Sequence, residues 1–434
     1  MSKILRRSVP MNRTLLRLLT ILAALFGSVR PAAAQLKAAP GDWPGWRGPD
    51  RTGLSTETGL LKQWPTDGPK LAWKITGLGE GFSTPSLAAG RIFLVGTKGK
   101  DELLIALDAK DGTRLWATAI GAEDGGHPGP RSTPTVDGDS LYVISSDGKL
   151  VCAGVEKGEI HWKKDLHADF GGKTGRWAYA ESPLIDGDAL ICTPGGSAAT
   201  LVALKKKSGE VIWKSAVAGL PAGKKEYTQA GYSSVIVAEV AGTRQYIQFL
   251  AGGVVGVDAK SGKFLWHYDA PANGTANCST PIFKDDCVFA ASGYGKGGGM
   301  AKITATGQAF TAKEQYFVKE LTSHHGGMVL VGDHIYGTSY TSLLCIEFKT
   351  GKIAWQDRSV GKGSIAYADG RLYVRSENGP IALVEANPTG YKEIGRFTQP
   401  DRSREKAWPY PVIADGKLYL RDWDMLLCYD IKGK

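Results

Sequence analysis

The 434-residue sequence lacks an apolar run long enough to cross a membrane. Its longest such run, Leu18–Val29, has 12 residues, whereas a transmembrane helix needs about 20. The run follows a basic start and precedes Ala32-Ala33-Ala34, a small-residue cleavage pattern. Position 35 is Gln rather than a lipid-accepting Cys. We therefore expect a secretory signal peptide over residues 1–34, cleavage near Ala34-Gln35, and a soluble periplasmic or secreted protein.

The chain also lacks a run of basic residues interleaved with aromatic residues. Residues 1–34 carry six Lys/Arg and no acidic residue, so the formal net charge falls from +10 to +4 without them. Nucleic-acid binders concentrate positive charge on one face or along one helix. We expect no nucleic-acid partner and a monomeric protein.

Helical periodicity is scarce, whereas glycine is abundant, at 57 residues. Short alternating apolar runs bounded by glycine-rich turns are typical of all-β proteins. A motif with Trp four residues after Gly occurs five times, and each Gly follows a Lys by one or two residues. Gly provides the positive φ of a tight hairpin, and Trp gives the returning strand a large apolar surface. The motif tryptophans are Trp116, Trp162, Trp213, Trp266 and Trp355.

A second marker, Ser-Thr-Pro or Glu-Ser-Pro, precedes four of the units. Its prolines Pro85, Pro134, Pro183 and Pro281 are 49, 49 and 98 residues apart, so one copy between the last two is unmarked. We count eight units of four strands, and this period is typical of a β-propeller. An open row of hairpin sheets is the alternative, but it would need a capping unit at each end.

The two ends of the chain favour the closed ring. The last unit stops at "CYDIKGK", before its Trp strand, while "GPKLAW" (68–73) has a tryptophan, Trp73, without a unit. We predict that this N-terminal strand completes the last blade and leaves no free edge there. The predicted domains are the signal peptide (1–34), an N-terminal extension (35–67) and an eight-bladed propeller (68–434).

The six cysteines follow the repeat rather than a disulfide pattern. Cys152, Cys345 and Cys428 share one position on the third strand, where other units have small residues. Equivalent positions on different blades lie too far apart to be bridged. Cys278 and Cys287 lie at opposite ends of one hairpin. We predict six free thiols.

The D-A-K-x-G-x-x-x-W motifs with S-T-P strand starts resemble the repeats of pyrroloquinoline-quinone (PQQ) enzymes. They also resemble the propeller lipoprotein of the outer-membrane barrel-assembly machinery. "WPGWRGPDRTGLS", "SHHGGMVLVGDHIYG" and "WPYPVIADGKLYLRD" are closer to the PQQ-like repeat proteins of planctomycetes. The resemblance covers about residues 70–434 and implies export and a propeller, but it does not fix an activity.

The resemblance to the PQQ enzymes would imply PQQ with Ca²⁺, a Glu from a G-A-E-x-G loop and two adjacent cysteines that lie against the quinone. The corresponding loop here, Thr193–Thr200, has no Glu, and no two cysteines are adjacent. We therefore expect no cofactor and favour a binding or scaffolding role. A PQQ-dependent dehydrogenase of alcohols or sugars is the alternative, and no catalytic residue can be assigned from the sequence.

In a propeller, the loops that lead into the innermost strands cluster on one face around the channel mouth. Cationic, amide, imidazole and aromatic side chains are expected there, which suits a small polar ligand or a partner protein. The candidate binding residues are Arg131, Glu181, Tyr232, Asn277, His324, His325, Lys362 and Trp408.

Several of these residues also have a structural interpretation. Arg131 and Glu181 could form an ion pair across adjacent blades, and Trp408 could close the last unit. On a strand, His324 and His325 would point to opposite faces, so we expect no metal site. "WPGWRGP" (43–49) is expected to plug or clasp the ring.

Overall fold

The protein is described by a computed structural model, which covers residues 41–217 and 227–433. The predicted signal peptide and its cleavage site lie outside this part of the chain. The described residues form eight four-stranded antiparallel sheets and one short helix, α1 (Leu166–Phe170). Within these ranges, no helix is long and apolar enough to cross a membrane.

The first four sheets are blades 1–4, and each is given from its inner to its outer strand. Blade 1 contains β2 (Ser86–Ala88), β3 (Arg91–Lys98), β4 (Asp101–Asp108) and β5 (Arg114–Ala122). Blade 2 contains β6 (Thr135–Asp137), β7 (Ser140–Ile144), β8 (Lys149–Gly154) and β9 (Ile160–Asp165). Blade 3 contains β10 (Leu184–Asp186), β11 (Ala189–Cys192), β12 (Leu201–Lys205) and β13 (Val211–Ser215). Blade 4 contains β14 (Ile236–Val240), β15 (Thr243–Leu250), β16 (Gly253–Asp258) and β17 (Phe264–Tyr268).

Blades 5–8 complete the ring in the same order. Blade 5 contains β18 (Ile282–Lys284), β19 (Cys287–Ser292), β20 (Gly297–Thr306) and β21 (Ala309–Val318). Blade 6 contains β22 (Met328–Val331), β23 (His334–Thr338), β24 (Leu343–Glu347) and β25 (Ile353–Asp357). Blade 7 contains β26 (Gly363–Ala368), β27 (Arg371–Ser376), β28 (Ile381–Glu385) and β29 (Glu393–Phe397). Blade 8 contains β30 (Val412–Ala414), β31 (Lys417–Asp422), β32 (Met425–Asp430) and β1 (Lys70–Ile75).

The ring closes as the sequence predicts. Strand β1 pairs antiparallel with β32, and Trp73 lies opposite Cys428. This is the register of the ordinary blades, where Trp116 lies opposite Ala106. The eight-bladed propeller and its N-terminal closure are therefore confirmed.

The motif tryptophans join neighbouring blades. The Trp116 indole donates to the carbonyl oxygen of Val155 in blade 2 at 3.1 Å, and its ring lies against Gly158, where a Cβ atom would be only 2.5 Å from Trp116 Cε3. Trp162 Nε1 makes the equivalent bond to Lys206 O at 3.0 Å. The motif glycine is thus needed for its positive φ and also for the close approach of the preceding blade's tryptophan.

Two blades lack the tryptophan and replace it differently. In blade 5, Tyr316 lies opposite Met300 and packs on Gly351 of blade 6. In blade 7, Gly395 has the tryptophan's register position. Trp64 of the N-terminal extension fills the space there, with its ring centroid 5.1 Å from that of Phe397.

The six cysteines are all free, as predicted. Cys152 lies opposite Trp162, and Cys345 lies opposite Trp355. Both are buried. They act as small apolar residues beneath the indole rings.

The N-terminal extension crosses the channel at the end where the inner strands finish. Trp43 exchanges two backbone hydrogen bonds with Leu87 of β2, and Pro44 O accepts from Val136 of β6. Ser55 N donates to Tyr367 O in β26 at 2.8 Å. The segment therefore contacts the inner strands of blades 1, 2 and 7, as a plug does.

Two buried arginines hold this plug in place. Arg51 donates to Ser182 O at 2.6 Å and to Pro183 O at 2.9 Å. Arg47 donates to Met328 O of β22. Trp46 Nε1 donates to Thr280 Oγ1 at 2.8 Å. Because these partners belong to blades 3, 5 and 6, the plug is bound around the ring rather than at one point.

Candidate functional site

A cavity of about 350 Å³ lies at the mouth of the channel, above the plug. Most of its lining residues come from the loops that lead into the inner strands, on the face expected to carry a site. Arg131, Tyr232, His324, His325 and Trp408 line the cavity, so the structure brings together five of the eight candidate residues. The lining is mainly aromatic, with few polar groups.

One wall of the cavity is a cluster of stacked rings around Trp408. Its ring centroid is 4.4 Å from that of Phe82 and 5.0 Å from that of His127. The Arg131 guanidinium carbon lies 5.6 Å from the Phe82 centroid and 5.9 Å from that of Trp408, a cation–π arrangement. Trp408 therefore lies at the site and also links the last blade to the first.

The Arg131 guanidinium is held by backbone oxygens rather than by a carboxylate. Nη1 donates to Gly129 O at 3.0 Å and Nη2 to His127 O at 3.2 Å. The ion pair with Glu181 that we considered is not made. Arg131 thus presents positive charge to the cavity on a pre-positioned side chain.

The opposite wall contains two imidazoles and a carboxylate. His324 and His325 lie in a bend before β22, not on a strand, so the expectation that they point to opposite faces is wrong. Their centroids are 5.1 Å apart. His325 Nε2 is 3.1 Å from Glu377 Oε2, and the Lys362 ammonium is 3.0 Å from the same oxygen. Ligand atoms of the three residues lie within 4.8 Å of one another.

Burial sets the charges in this wall. It lowers the pKa of His324 to about 4, with a smaller contribution from the neighbouring His325. Burial also opposes the charged form of Glu377, but its contacts with His325 and Lys362 outweigh this and lower the pKa of Glu377 to about 2. At neutral pH the wall therefore holds a neutral His324 imidazole, a carboxylate and an ammonium.

Three candidate residues lie outside the cavity lining. Lys362 pairs with Glu377, whereas Glu181 and Asn277 have structural partners. Glu181 is buried and accepts hydrogen bonds from Thr193 N at 2.7 Å and Gln248 Nε2 at 3.2 Å. Burial raises the pKa of Glu181 to about 7, although Thr193 and Arg51 lower it in part. Asn277 donates to Leu250 O and Ala251 O, both at 3.0 Å. Both side chains stabilise the loops behind the site.

The sequence analysis missed several lining residues. Phe82 immediately precedes the first Ser-Thr-Pro marker, so its position could have been read from the repeat. Trp46 reaches the cavity from the plug and packs edge-on against Tyr410 at 4.9 Å. Tyr294 lines the cavity from the turn after β19, and Glu377, which contacts His325, comes from the turn after β27. No pattern in the sequence marks these turns as part of the site.

The residues of this site do not fit PQQ with Ca²⁺. Calcium takes six to eight oxygen ligands. Among the described residues, Glu181 is turned away and Glu377 is paired with Lys362 and His325. The quinone also carries three carboxylates, whereas Arg131 is the main cation of the lining. We derive no reaction through this cofactor.

Curated proteins and solved structures include proteins similar to this chain. BamB of Shewanella oneidensis, an outer membrane protein assembly factor, is 29% identical over 182 residues, 41% of each chain. The serine/threonine-protein kinase AfsK of Streptomyces griseus is 30% identical over 170 residues, 37% of this chain and 19% of the kinase. The matches therefore span less than half the length of these curated relatives.

The structural matches show the fold. BamB of Moraxella catarrhalis superposes with a TM-score of 0.58 at 15% identity, covering 86% of this chain and 99% of that one. Quinohemoprotein alcohol dehydrogenase of Comamonas testosteroni gives a TM-score of 0.64 at 13% identity, covering 92% and 82%. A family model described as outer membrane protein assembly factor BamB matches residues 49–132 and 100–357. The chain, a PQQ-like β-propeller, belongs to this family.

Proposed function

We propose that this protein is an exported binding module that uses the channel-mouth face to hold a partner protein. The observation that carries the proposal is the cavity itself, which is closed below by the plug and open at the loop face. A blind cavity lined by aromatic rings and one arginine suits an inserted side chain better than a path through the ring. The Shewanella oneidensis relative is named as an outer membrane protein assembly factor, which supports a role in contacting other proteins.

The rim of the cavity supports the same proposal. Tyr294 and Tyr340 are 44% and 38% exposed and are joined by a hydrogen bond of 2.9 Å from Tyr294 N to the Tyr340 hydroxyl. Tyrosine is enriched in protein interfaces because it combines apolar area with a polar group and loses little side-chain entropy. We infer that the two rings form part of the contact surface around the cavity.

The charge of the cavity indicates what the partner inserts. The Arg131 guanidinium has backbone partners and forms no ion pair with a carboxylate of residues 41–217 and 227–433, while aromatic rings surround it. An acidic side chain would complete its interactions, since arginine binds carboxylates through two parallel hydrogen bonds. We propose that the partner presents an Asp, a Glu or a C-terminal carboxylate on an extended segment.

Export, a periplasmic location and a monomeric state belong to this proposal. Export and the periplasmic location rest on the basic and apolar start of the chain and on its cleavage pattern. The quinone dehydrogenase remains the second candidate, and only the shared fold favours it.

Quantitative purification from native cells tests the proposal. The wild-type protein should recover a partner that the Arg131→Ala and Trp408→Ala variants recover at least about fivefold less. Leu115→Ser, which changes an exposed residue on outer strand β5, is the control and should recover the same amount. Equal recovery by all variants would contradict a role for the cavity.

A further inference from the structure

His324, His325 and Glu377 converge on the cavity wall from the loop before β22 and from the turn after β27. We propose that these three side chains bind a divalent transition-metal ion of the Zn²⁺ type at the channel mouth. This site goes beyond the partner-binding role and does not depend on it.

The separation of the ligand atoms fits such an ion after a small adjustment. One ligand atom from each residue lies within 4.8 Å of the others. Around a tetrahedral zinc ion, with bonds of about 2.0–2.1 Å, neighbouring ligand atoms are about 3.4 Å apart. Rotations about the side-chain bonds can supply the difference, because His324 and Glu377 are not fully enclosed.

Buried imidazole nitrogens without partners point to a missing ligand. The His325 side chain is only 7% exposed, and neither of its ring nitrogens has a well-aligned hydrogen bond within residues 41–217 and 227–433. Its contact of 3.1 Å with Glu377 is close but not directed as a hydrogen bond. His324 Nδ1 also lacks a partner in these ranges. Burying polar nitrogens unpaired is costly, and a metal ion would satisfy them.

The donor atoms of the three residues indicate the class of ion. Two imidazoles and one carboxylate favour Zn²⁺ or Cu²⁺ over Ca²⁺ and Mg²⁺, which prefer oxygen ligands alone. Three protein ligands would leave a fourth position facing the cavity.

Lys362 competes with the ion for Glu377. Its ammonium lies 3.0 Å from Glu377 Oε2 and 5.3 Å from the Tyr340 ring centroid. Because this lysine is partly exposed, it can turn away when a metal ion binds. Lys362→Met should therefore tighten metal binding, which a purely structural ion pair would not predict.

Calorimetric titration of ZnCl₂ into EDTA-treated protein, purified without a histidine tag, tests the site. We expect one ion per chain, with affinity reduced at least about tenfold in His324→Ala and Glu377→Gln and increased in Lys362→Met. His127→Ala removes another imidazole of the same cavity and should leave the affinity unchanged. Circular dichroism verifies that each variant is folded.

A second measurement uses the wild-type protein alone. Co²⁺ bound by the three residues should give the visible absorption bands of a four-coordinate site, and Zn²⁺ should remove them. Absence of stoichiometric Zn²⁺ binding in both the wild type and Lys362→Met would overturn the proposal. So would equal Zn²⁺ affinity in the wild type, His324→Ala and Glu377→Gln; the cluster would then be an ion-pair network only.

Discussion

Trp73 lies opposite Cys428 in blade 8, so the outer and third strands of that blade come from opposite ends of the propeller. The Trp73 ring also reaches blade 1, where a Cβ atom on Gly112 would be 3.0 Å from Trp73 Cζ3. One side chain thus completes the last blade and joins it to the first. Closure of the ring depends on this strand as much as on any internal one.

Trp73→Ala should destabilise the protein about as much as Trp116→Ala, the same position in an ordinary blade. Both lose a large ring between two blades, which we expect to cost about 2–4 kcal/mol of unfolding free energy. Urea unfolding of the two variants measures this. Deletion of residues 68–75 should lower the melting temperature further. A deletion protein with the melting temperature of the wild type would contradict the claim that β1 closes the ring.

The contribution of Glu102 to the stability of the protein should decrease as the pH rises from 5 to 8. Its carboxylate is fully buried and accepts from Ser146 N at 2.9 Å. Burial raises its pKa to about 7, and the bonds from Ser146 offset this only in part. The folded state therefore holds a proton that the unfolded state releases at lower pH. The penalty begins above the unfolded pKa and is complete above about pH 7.

Glu102→Gln keeps the shape of the side chain and removes the titration. Each unit of pKa difference corresponds to about 1.4 kcal/mol. Between pH 5 and pH 8 the change in unfolding free energy should therefore be about 2–3 kcal/mol more favourable in the variant than in the wild type. Urea unfolding at both pH values measures this. Identical pH dependence in the two proteins would show that Glu102 is not the group involved.

The thiols should be unreactive in the native protein. Burial raises the pKa of Cys152 and Cys345 to about 11 and that of Cys278 to about 12, so little thiolate is present at neutral pH. A thiol reagent should label all six cysteines in denaturant and label them much more slowly without it. Any internal disulfide in non-reducing mass spectrometry would contradict the assignment.

Addition of PQQ and Ca²⁺ should give no saturable binding. The lining offers neither the oxygen ligands for calcium nor enough cations for a tricarboxylate. Absorbance titration, with dye reduction by a panel of alcohols and sugars, measures both binding and turnover. Stoichiometric quinone binding with turnover would establish the dehydrogenase instead.

The blade architecture could be predicted because it depends on local spacing. The Gly-to-Trp distance fixes a hairpin, and its repetition fixes a ring, so even the pairing of β1 with β32 follows from the sequence. The loops before the inner strands could be placed on one face for the same reason. Arg131, Tyr232 and Trp408 reach the cavity accordingly.

What could not be predicted depends on contacts between blades. Glu181 is turned from the cavity by Gln248, a residue of the neighbouring blade, and spacing within one repeat does not reveal such a partner. Trp64 fills the place of a missing motif tryptophan in blade 7, although it belongs to the extension. His324 and His325 share a wall because the chain bends there rather than forming a strand.

Site-specific photocrosslinking in native cells tests the central claim most directly. A photoreactive phenylalanine derivative replaces Tyr340 on the rim in one protein and Ile160, an exposed residue of the outer strand β9, in another. We predict a discrete adduct with one partner protein from position 340, lost on adding Arg131→Ala, and none from position 160. Adducts from position 160 alone, or equal adducts from both positions, would contradict a binding site at the channel mouth.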